Sequence, residues 1–425
     1  MGQLGNKAGI IPAASMVTHH ADCEYPFRQD SDFWYLTGFD ESDAIAMFLP
    51  YRPKGEQYIL FVHPSDPAIE VWSGFRCGVE GVVNHFGVDI GHPLEEFPKL
   101  ISDYLVGAEG IAFRVGKNIK VESLVLKTWA DQLDKVQRTG GKAISMMAPC
   151  PLLHQMRLYK DSLEIERIRE ATKISAEAHE FAREVTYPGM NERQLQGVIE
   201  QYFLQKGARG PAYNSIVAGG DNACVLHYTA NNKTLKDGDL VLIDAGCSLV
   251  DYYNGDITRT FPVNGKFTSE QKAIYEIVLA AQKAAIDSII PGQNAEGIHI
   301  AALEVLVDGL VDLGLLIGNT ESLIEQDAYR HLYMHRTGHW LGLDVHDVGS
   351  YRLGEYHVEL QKGMVLTVEP GIYISDRLYV PKGQPEIHSR WKGIGIRIED
   401  DVLVRENTPE VLTSGALKSI EAMEN

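Results

Sequence analysis

Four carboxylates in this chain stand where a carboxylate is hardest to keep. Asp244 ends the apolar run 240–243, and Asp256 follows twelve positions later at the start of a second strand-like run. Glu369 closes the apolar part of GMVLTVEPGIYI, directly before Pro370-Gly371, and Glu399 interrupts GIGIRIEDDVLV. A carboxylate inside a buried strand is strongly unfavourable unless it is paired or bound to a cation. Simpler readings exist for each alone. Asp244 and Asp256 could be turn residues beside Gly246 and Gly255. Strand alternation puts Arg397 and Glu399 on one face, where they could pair as neighbours. Between the two acidic pairs lies HRTGHWLGLDVHDVG, which holds His335, His339 and His346, three of the chain's 15 histidines. Four acidic groups in one cavity repel one another unless cations are present. Two divalent ions supply a charge that balances the four carboxylates. An oxygen-rich donor set with one imidazole suits Mn2+, Co2+ or Mg2+ better than a thiolate-rich zinc site. Two such ions sharing carboxylate bridges form a hydrolytic centre.

The rest of the chain frames this set. With 425 residues, two or three domains are expected. Residues 43–63 read as two strands around a turn at 52–55, followed by helical patterns at 94–105 and 122–137 with a strand-like GIAFRVG between them. That alternation indicates an N-terminal α/β domain, 1–155. Pro149 and Pro151 break the pattern, and Asp161 or Ser162 can cap the next helix. The second domain, 156–425, reads as α+β, with helices at 162–185, 191–206, 269–289 and 294–313 and strands at 239–246, 256–263, 364–374 and 393–404. Two helices followed by a carboxylate-bearing strand pair occur twice, so a duplicated unit with a pseudo-two-fold repeat is expected, its strand pairs on facing sides of one sheet. Phe33, Trp34, Tyr35 and Trp72 read as core aromatics of the first domain.

The formal charge of −19 argues against nucleic acid or an anionic membrane as a partner. Five scattered cysteines without a Cys-x-x-Cys pair indicate reduced thiols. No apolar run is long enough to span a membrane, and MGQLGNKAGIIPAAS is a poor signal peptide, so cytoplasmic residence is the default.

The segments IDAG and GDITRTF, HRTGHWLGLDVHDVG, LTVEPG and GIGIRIEDD resemble the metal-binding segments of pita-bread-fold metallopeptidases. With YPFRQDSDFWYLTGF (25–39) added, the resemblance is closest to the aminopeptidase P branch, the Xaa-Pro aminopeptidases, and it covers nearly the whole chain. It implies the ligands Asp244, Asp256, His339, Glu369 and Glu399, with Asp256 and Glu399 bridging two ions, Mn2+ first and Co2+ or Zn2+ as alternates. It places His227 (in VLHYTAN), His335 and His346 near the substrate and Arg397 behind a ligand carboxylate. It implies hydrolysis of the N-terminal Xaa-Pro bond by a dinuclear-metal-activated hydroxide, with Glu369 accepting the proton and His227 or His346 stabilising the oxyanion. Alternatives are a prolidase acting on Xaa-Pro dipeptides and a metal-free pita-bread binding module. The resemblance also implies a homo-dimer or homo-tetramer, with 71–76 as a segment that caps a neighbouring site. Relatives carry a helix before the first strand; few residues precede AGIIPAASM here, which reads as a short form or a misplaced start.

Overall fold

A computed structural model describes residues 1–140 and 143–424. The chain divides into two compact units, Met1–His154 and Gln155–Asn425.

The first unit is built on a six-stranded mixed sheet. Its elements in chain order are β1 (Lys7–Pro12), α1 (Ser31–Thr37), β2 (Ile45–Phe48), β3 (Tyr58–Val62), α2 (Pro67–Ser73), α3 (Gly78–His85), β4 (Ile90–Pro93), α4 (Phe97–Tyr104), β5 (Gly110–Ala112), α5 (Ile119–Thr139), β6 (Ser145–Met147) and α6 (Cys150–Leu158). The strand order is β4-β3-β2-β1-β5-β6. β1 pairs with β2 antiparallel and with β5 parallel. Apolar clusters fill both faces, one around Ile10, Phe61 and Ile111 and one around Ile11, Phe33 and Leu60. Two sequence expectations are corrected here. Pro151 does not break the pattern but lies in the first turn of α6, where the missing N–H has no helical partner to lose. Trp72 is not a core residue: it is 90% exposed on α2, beside exposed Val71 and Phe75, whereas Phe33 is buried and Trp34 and Tyr35 are half-buried.

In the second unit, α7 (Ser162–Val185), α8 (Glu192–Gln205), α9 (Ser269–Asp287) and α10 (Ala295–Asp312) lie within two residues of the expected bounds. Three of the four start with a capping box: Asp161/Glu164, Asn191/Gln194 and Thr268/Gln271 satisfy backbone N–H groups that the first turn leaves open. The longer strands are β7 (Ile216–Gly219), β8 (Leu240–Asp244), β9 (Thr258–Pro262), β10 (Val365–Val368), β11 (Gly371–Ile374), β12 (Ile394–Arg397) and β13 (Asp400–Leu403). Alternation gives these strands two chemical faces. Ile243, Phe261, Leu366, Val368, Ile396 and Ile398 join the cluster that also holds Ala171 and Ile174 of α7 and Val278 and Ala281 of α9. The opposite parity carries Asp244, Thr258, Thr367, Arg397 and Glu399.

The strands differ from expectation in continuity. The spans 364–374 and 393–404 are each two strands. β10 pairs with β13 and β11 pairs with β12, so the ladder breaks at Glu369-Pro370 and Ile398-Glu399. Pro370 has no N–H to continue the pairing. The glutamate N–H groups go elsewhere: Glu369 donates to Thr337 O at 2.7 Å and Glu399 to Thr258 O at 3.1 Å. The two strand pairs also do not share one hydrogen-bonded sheet; β7-β8-β9 is a separate ladder, and the Arg397 backbone meets the Thr260 hydroxyl rather than the Thr260 main chain. Asp256 does not open β9 but stands two residues before it, its N–H bonded to Asp401 Oδ2 at 2.8 Å.

Candidate metal centre

The breaks in the ladder are where the carboxylates meet. β8 and β9 are in register at Asp244 and Thr258, which brings Asp256 back beside Asp244. The histidine-bearing segment 337–341 runs along β10, with Thr367 N–H donating to His339 O at 2.8 Å and Leu341 N–H to Val365 O at 3.1 Å. That approach needs Gly338, since a Cβ there would fall 1.9 Å from Thr367 O. His339 Nδ1 donates to Trp340 O at 3.0 Å, so its Nε2 faces the site, 3.4 Å from Asp256 Oδ2 and 3.6 Å from Glu369 Oε1. One donor atom each from Asp256, His339 and Glu399 lies within 4.8 Å of the other two. Asp244 joins them through Tyr213, whose hydroxyl is 2.6 Å from Asp244 Oδ1 and also reaches Asp256 Oδ1. The second oxygen of Asp244 accepts from Arg397 Nη2 at 2.5 Å. Arg397 therefore serves Asp244 rather than its strand neighbour Glu399, and it also donates to Thr258 Oγ1 and Tyr373 Oη.

All five sequence-predicted donors, with His227, His335, His346 and Arg397, line one cavity of about 1030 Å³. His346 packs edge-on against His339, their ring centroids 4.2 Å apart. His335 is less open than expected. Its Nδ1 donates to Arg336 O at 2.8 Å and its Nε2 accepts from Tyr373 Oη at 2.7 Å, so both ring nitrogens are held by the protein. Burial and the Arg397 charge pull its pKa down to about 3.

The electrostatics show what the donors lack. Burial and the charges of Asp256, Glu369 and Asp244 hold the Glu399 carboxyl well above the usual carboxylate range. Burial likewise pushes Glu369 up to about 7, against the lowering effect of His339 and Arg397. Burial opposes a charge on His339, but its bond to Asp256 and the Glu369 charge outweigh this and raise it to about 9. Four carboxylates share one buried arginine, so the group is short of positive charge. Oxygen donors, one imidazole and a charge deficit fit divalent cations.

Two contributors escape sequence reasoning to different degrees. Thr258 donates to Glu399 Oε2 at 2.7 Å, and alternation from Asp256 would have found it. Tyr213 lies in a loop with no pattern of its own and is placed only by the fold.

Two buried clusters hold the cavity walls. Glu192, fully buried at the start of α8, accepts from Gly219 N and Asn222 Nδ2 on one oxygen and from Tyr228 Oη and Lys233 N on the other, each at 2.8 Å. All four donors belong to the segment that carries His227. Arg157 donates to Asp344 at 2.8 Å and Asp347 at 2.5 Å, and Lys160 to Asp347 at 3.1 Å, which fixes the segment carrying His346. A hairpin, Arg352–Leu353 with Tyr356–His357, places Arg352 and His357 on the cavity lining and is paired over only two residues per strand.

Comparisons with known proteins agree with this geometry. The family model for metallopeptidase family M24 matches residues 166–406, and that for the aminopeptidase P N-terminal domain matches 1–112. The chain is 45% identical over 420 residues to a Xaa-Pro aminopeptidase of Haemophilus influenzae, covering 99% of this chain and 93% of that one. It is 42% identical over 419 residues to a Xaa-Pro aminopeptidase of Escherichia coli, covering 98% and 93%. It superposes on Pseudomonas aeruginosa aminopeptidase PepP with a TM-score of 0.93 at 44% identity, covering 99% and 93%. On Escherichia coli aminopeptidase P in complex with substrate the TM-score is 0.92 at 41% identity, covering 99% and 93%. The chain belongs to metallopeptidase family M24, with a pita-bread catalytic fold preceded by an aminopeptidase P N-terminal domain.

Proposed function

We propose that this protein is a Xaa-Pro aminopeptidase: it hydrolyses the bond between the first residue of a peptide and a proline in second position. The observation that carries this reading is the convergence of Asp256, His339 and Glu399 on one point, with Glu369 and Asp244 beside them, in a cavity of about 1030 Å³. A bond before proline is a tertiary amide without an N–H, so it calls for a dedicated site. The cavity is at the upper end of ligand-pocket sizes and has room for a chain that continues past the proline.

Asp244, Asp256, His339, Glu369 and Glu399 would hold two divalent ions. When bound, the ions lower the pKa of a water and so supply the nucleophile. Asp256 and Glu399 are 4% and 2% exposed, whereas the Glu369 side chain is 17% exposed. The Asp244 side chain is 14% exposed but both its oxygens are engaged by Tyr213 and Arg397, so Glu369 is the carboxylate left with access to substrate, and it takes up the nucleophile's proton and returns it to the prolyl nitrogen. His227 and His346 stand exposed on the wall and donate to the carbonyl oxygen as charge develops. Partial burial of its ring depresses the His346 pKa, which keeps the ring neutral and one N–H available. His335 gives the substrate ring surface only, because its nitrogens are occupied.

The oxygen-rich donor set favours Mn2+, with Co2+ or Zn2+ as substitutes. The free thiols fit the reducing cytoplasm. Val71, Trp72 and Phe75 form the apolar surface that a partner copy would cover in a dimer or tetramer, where segment 71–76 would cap a neighbouring site.

The deciding assay compares Ala-Pro-Ala with Ala-Pro. Release of alanine from the longer peptide is expected; cleavage of the dipeptide alone would make the protein a prolidase. Replacing Arg397 by methionine tests the supporting shell. Asp244 loses its charge partner, so kcat should fall by about 10–100-fold and metal should be retained less well on dialysis. Unchanged kcat and metal content would remove Arg397 from this role.

A further inference from the structure

Outside the cavity, one cluster of metal-donor side chains has no part in the chemistry above. Asp32 lies in the first turn of α1 and is 5% exposed. Cys150 and His154 are four residues apart on α6, hence on one helix face. One donor atom from each of the three lies within 4.8 Å of the other two. His154 Nε2 is 3.7 Å from Asp32 Oδ2. That is longer than a hydrogen bond. It matches the spacing of about 3.3–3.8 Å between neighbouring ligands of a tetrahedral ion at ~2.0–2.3 Å. An Asp–His ion pair, or the more distant Arg114 at 3.8 Å from the same oxygen, accounts for the carboxylate but not for the thiol. A carboxylate, an imidazole and a sulfur gathered within 4.8 Å of one another are the donor set of a zinc-type ion, unlike the sulfur-free catalytic group.

We propose that Asp32, Cys150 and His154 bind one thiophilic divalent cation of the Zn2+ class, with a water as fourth ligand. On binding, the Cys150 thiol releases its proton to solvent as the sulfur–metal bond forms. Thiolate and carboxylate then balance the ion's two charges, and His154 coordinates as the neutral ring. The ion ties α1 to α6, residues 32 and 150, across the chain that forms β2 to β6. Because the unfolded chain lacks the site, binding stabilises the N-terminal unit. The inference does not depend on the peptidase reading.

Co2+ is the probe, because a thiolate ligand gives a sulfur-to-Co2+ charge-transfer band in the near ultraviolet that oxygen and nitrogen ligands do not. Chelated full-length protein titrated with Co2+ should show this band, saturating at one equivalent of the sulfur-bound ion per chain. Glu399→Ala should keep the band, Cys150→Ser should lose it, and His154→Ala should weaken it. Zn2+ should slow alkylation of Cys150 relative to exposed Cys23 in the same sample. Far-ultraviolet circular dichroism and peptidase activity of Cys150→Ser establish that loss of the band is not loss of fold. No band in the folded wild type, or a band that survives Cys150→Ser, overturns the proposal.

Discussion

Replacing Glu399 with alanine should abolish hydrolysis while leaving a folded protein. Glu399 is 2% exposed and sits at a break in the strand ladder, its carboxylate in reach of Asp256 and His339. Its removal would take away one of the five donors proposed to hold the ions. Metal centres contribute several kcal/mol to transition-state stabilisation, and each ~1.4 kcal/mol is tenfold, so the loss in kcat should be at least about 1,000-fold. The fold should survive for a reason particular to this site. In the metal-free protein the Glu399 carboxyl is already an electrostatic liability, pushed well above its usual range by burial and by neighbouring carboxylates. The backbone around it is held by β12, β13 and the bond to Thr258 O, none of which needs the side chain. Glu399→Gln, which keeps the shape and drops the charge, separates the two effects: it should be as inactive as the alanine variant and melt no lower than wild type after chelation. Activity within tenfold of wild type in either variant would refute that role.

The metal-stripped protein should lose stability between pH 7 and 8.5, and the metal-loaded protein should not. His339 is raised from 6.5 to about 9, and Glu399 and Asp401 are held well above their usual values by burial and neighbouring carboxylates. A group with a raised folded-state pKa contributes its stability fully below the unfolded pKa and loses it as pH climbs through the folded value. Each proton held only by the folded state costs about 1.4 kcal/mol per pH unit, so even one such proton gives a loss of about 2 kcal/mol over this window. The window has a lower limit. Burial depresses His179 and His299 to about 4 and His335 to about 3, so these residues destabilise the protein as pH falls below 6.5. Above pH 7 they are neutral in both states and drop out. His339 and Glu399 would give up these protons on holding cations, which would remove the slope. Thermal melts of chelated and Mn2+-loaded protein at pH 7 and 8.5 measure the difference. A chelated protein that is equally stable or more stable at pH 8.5 would show that the carboxylates are neutralised from within the chain.

The parts of this site that were readable in the sequence share one property: a charge set inside apolar surroundings. Asp244, Glu369 and Glu399 stood out because each ends or interrupts an apolar run. The start of α7 was readable because a capping residue such as Asp161 acts over three positions. Strand continuity was not, because whether Glu369 and Glu399 continue a ladder depends on Thr337 and Thr258, which are distant in sequence. Tyr213 and the Asp32, Cys150 and His154 group have the same character. Their meaning arises only from long-range contact, and nothing in their local sequence marks them.

The two clasped walls have a consequence for how this chain can diverge. The segment carrying His227 hangs on one carboxylate with four donors, and the segment carrying His346 on Arg157 and Lys160. A change at Glu192 must be matched at several positions at once, so these walls resist stepwise drift. The hairpin bearing Arg352 and His357 is anchored at its base by the Val358 N–H bond to Tyr351 O, and beyond that its two residue pairs can change length or composition without disturbing either clasp. Descendants of this chain that differ in which peptides they accept beyond the proline should therefore differ first in that hairpin, while the histidine walls stay as they are.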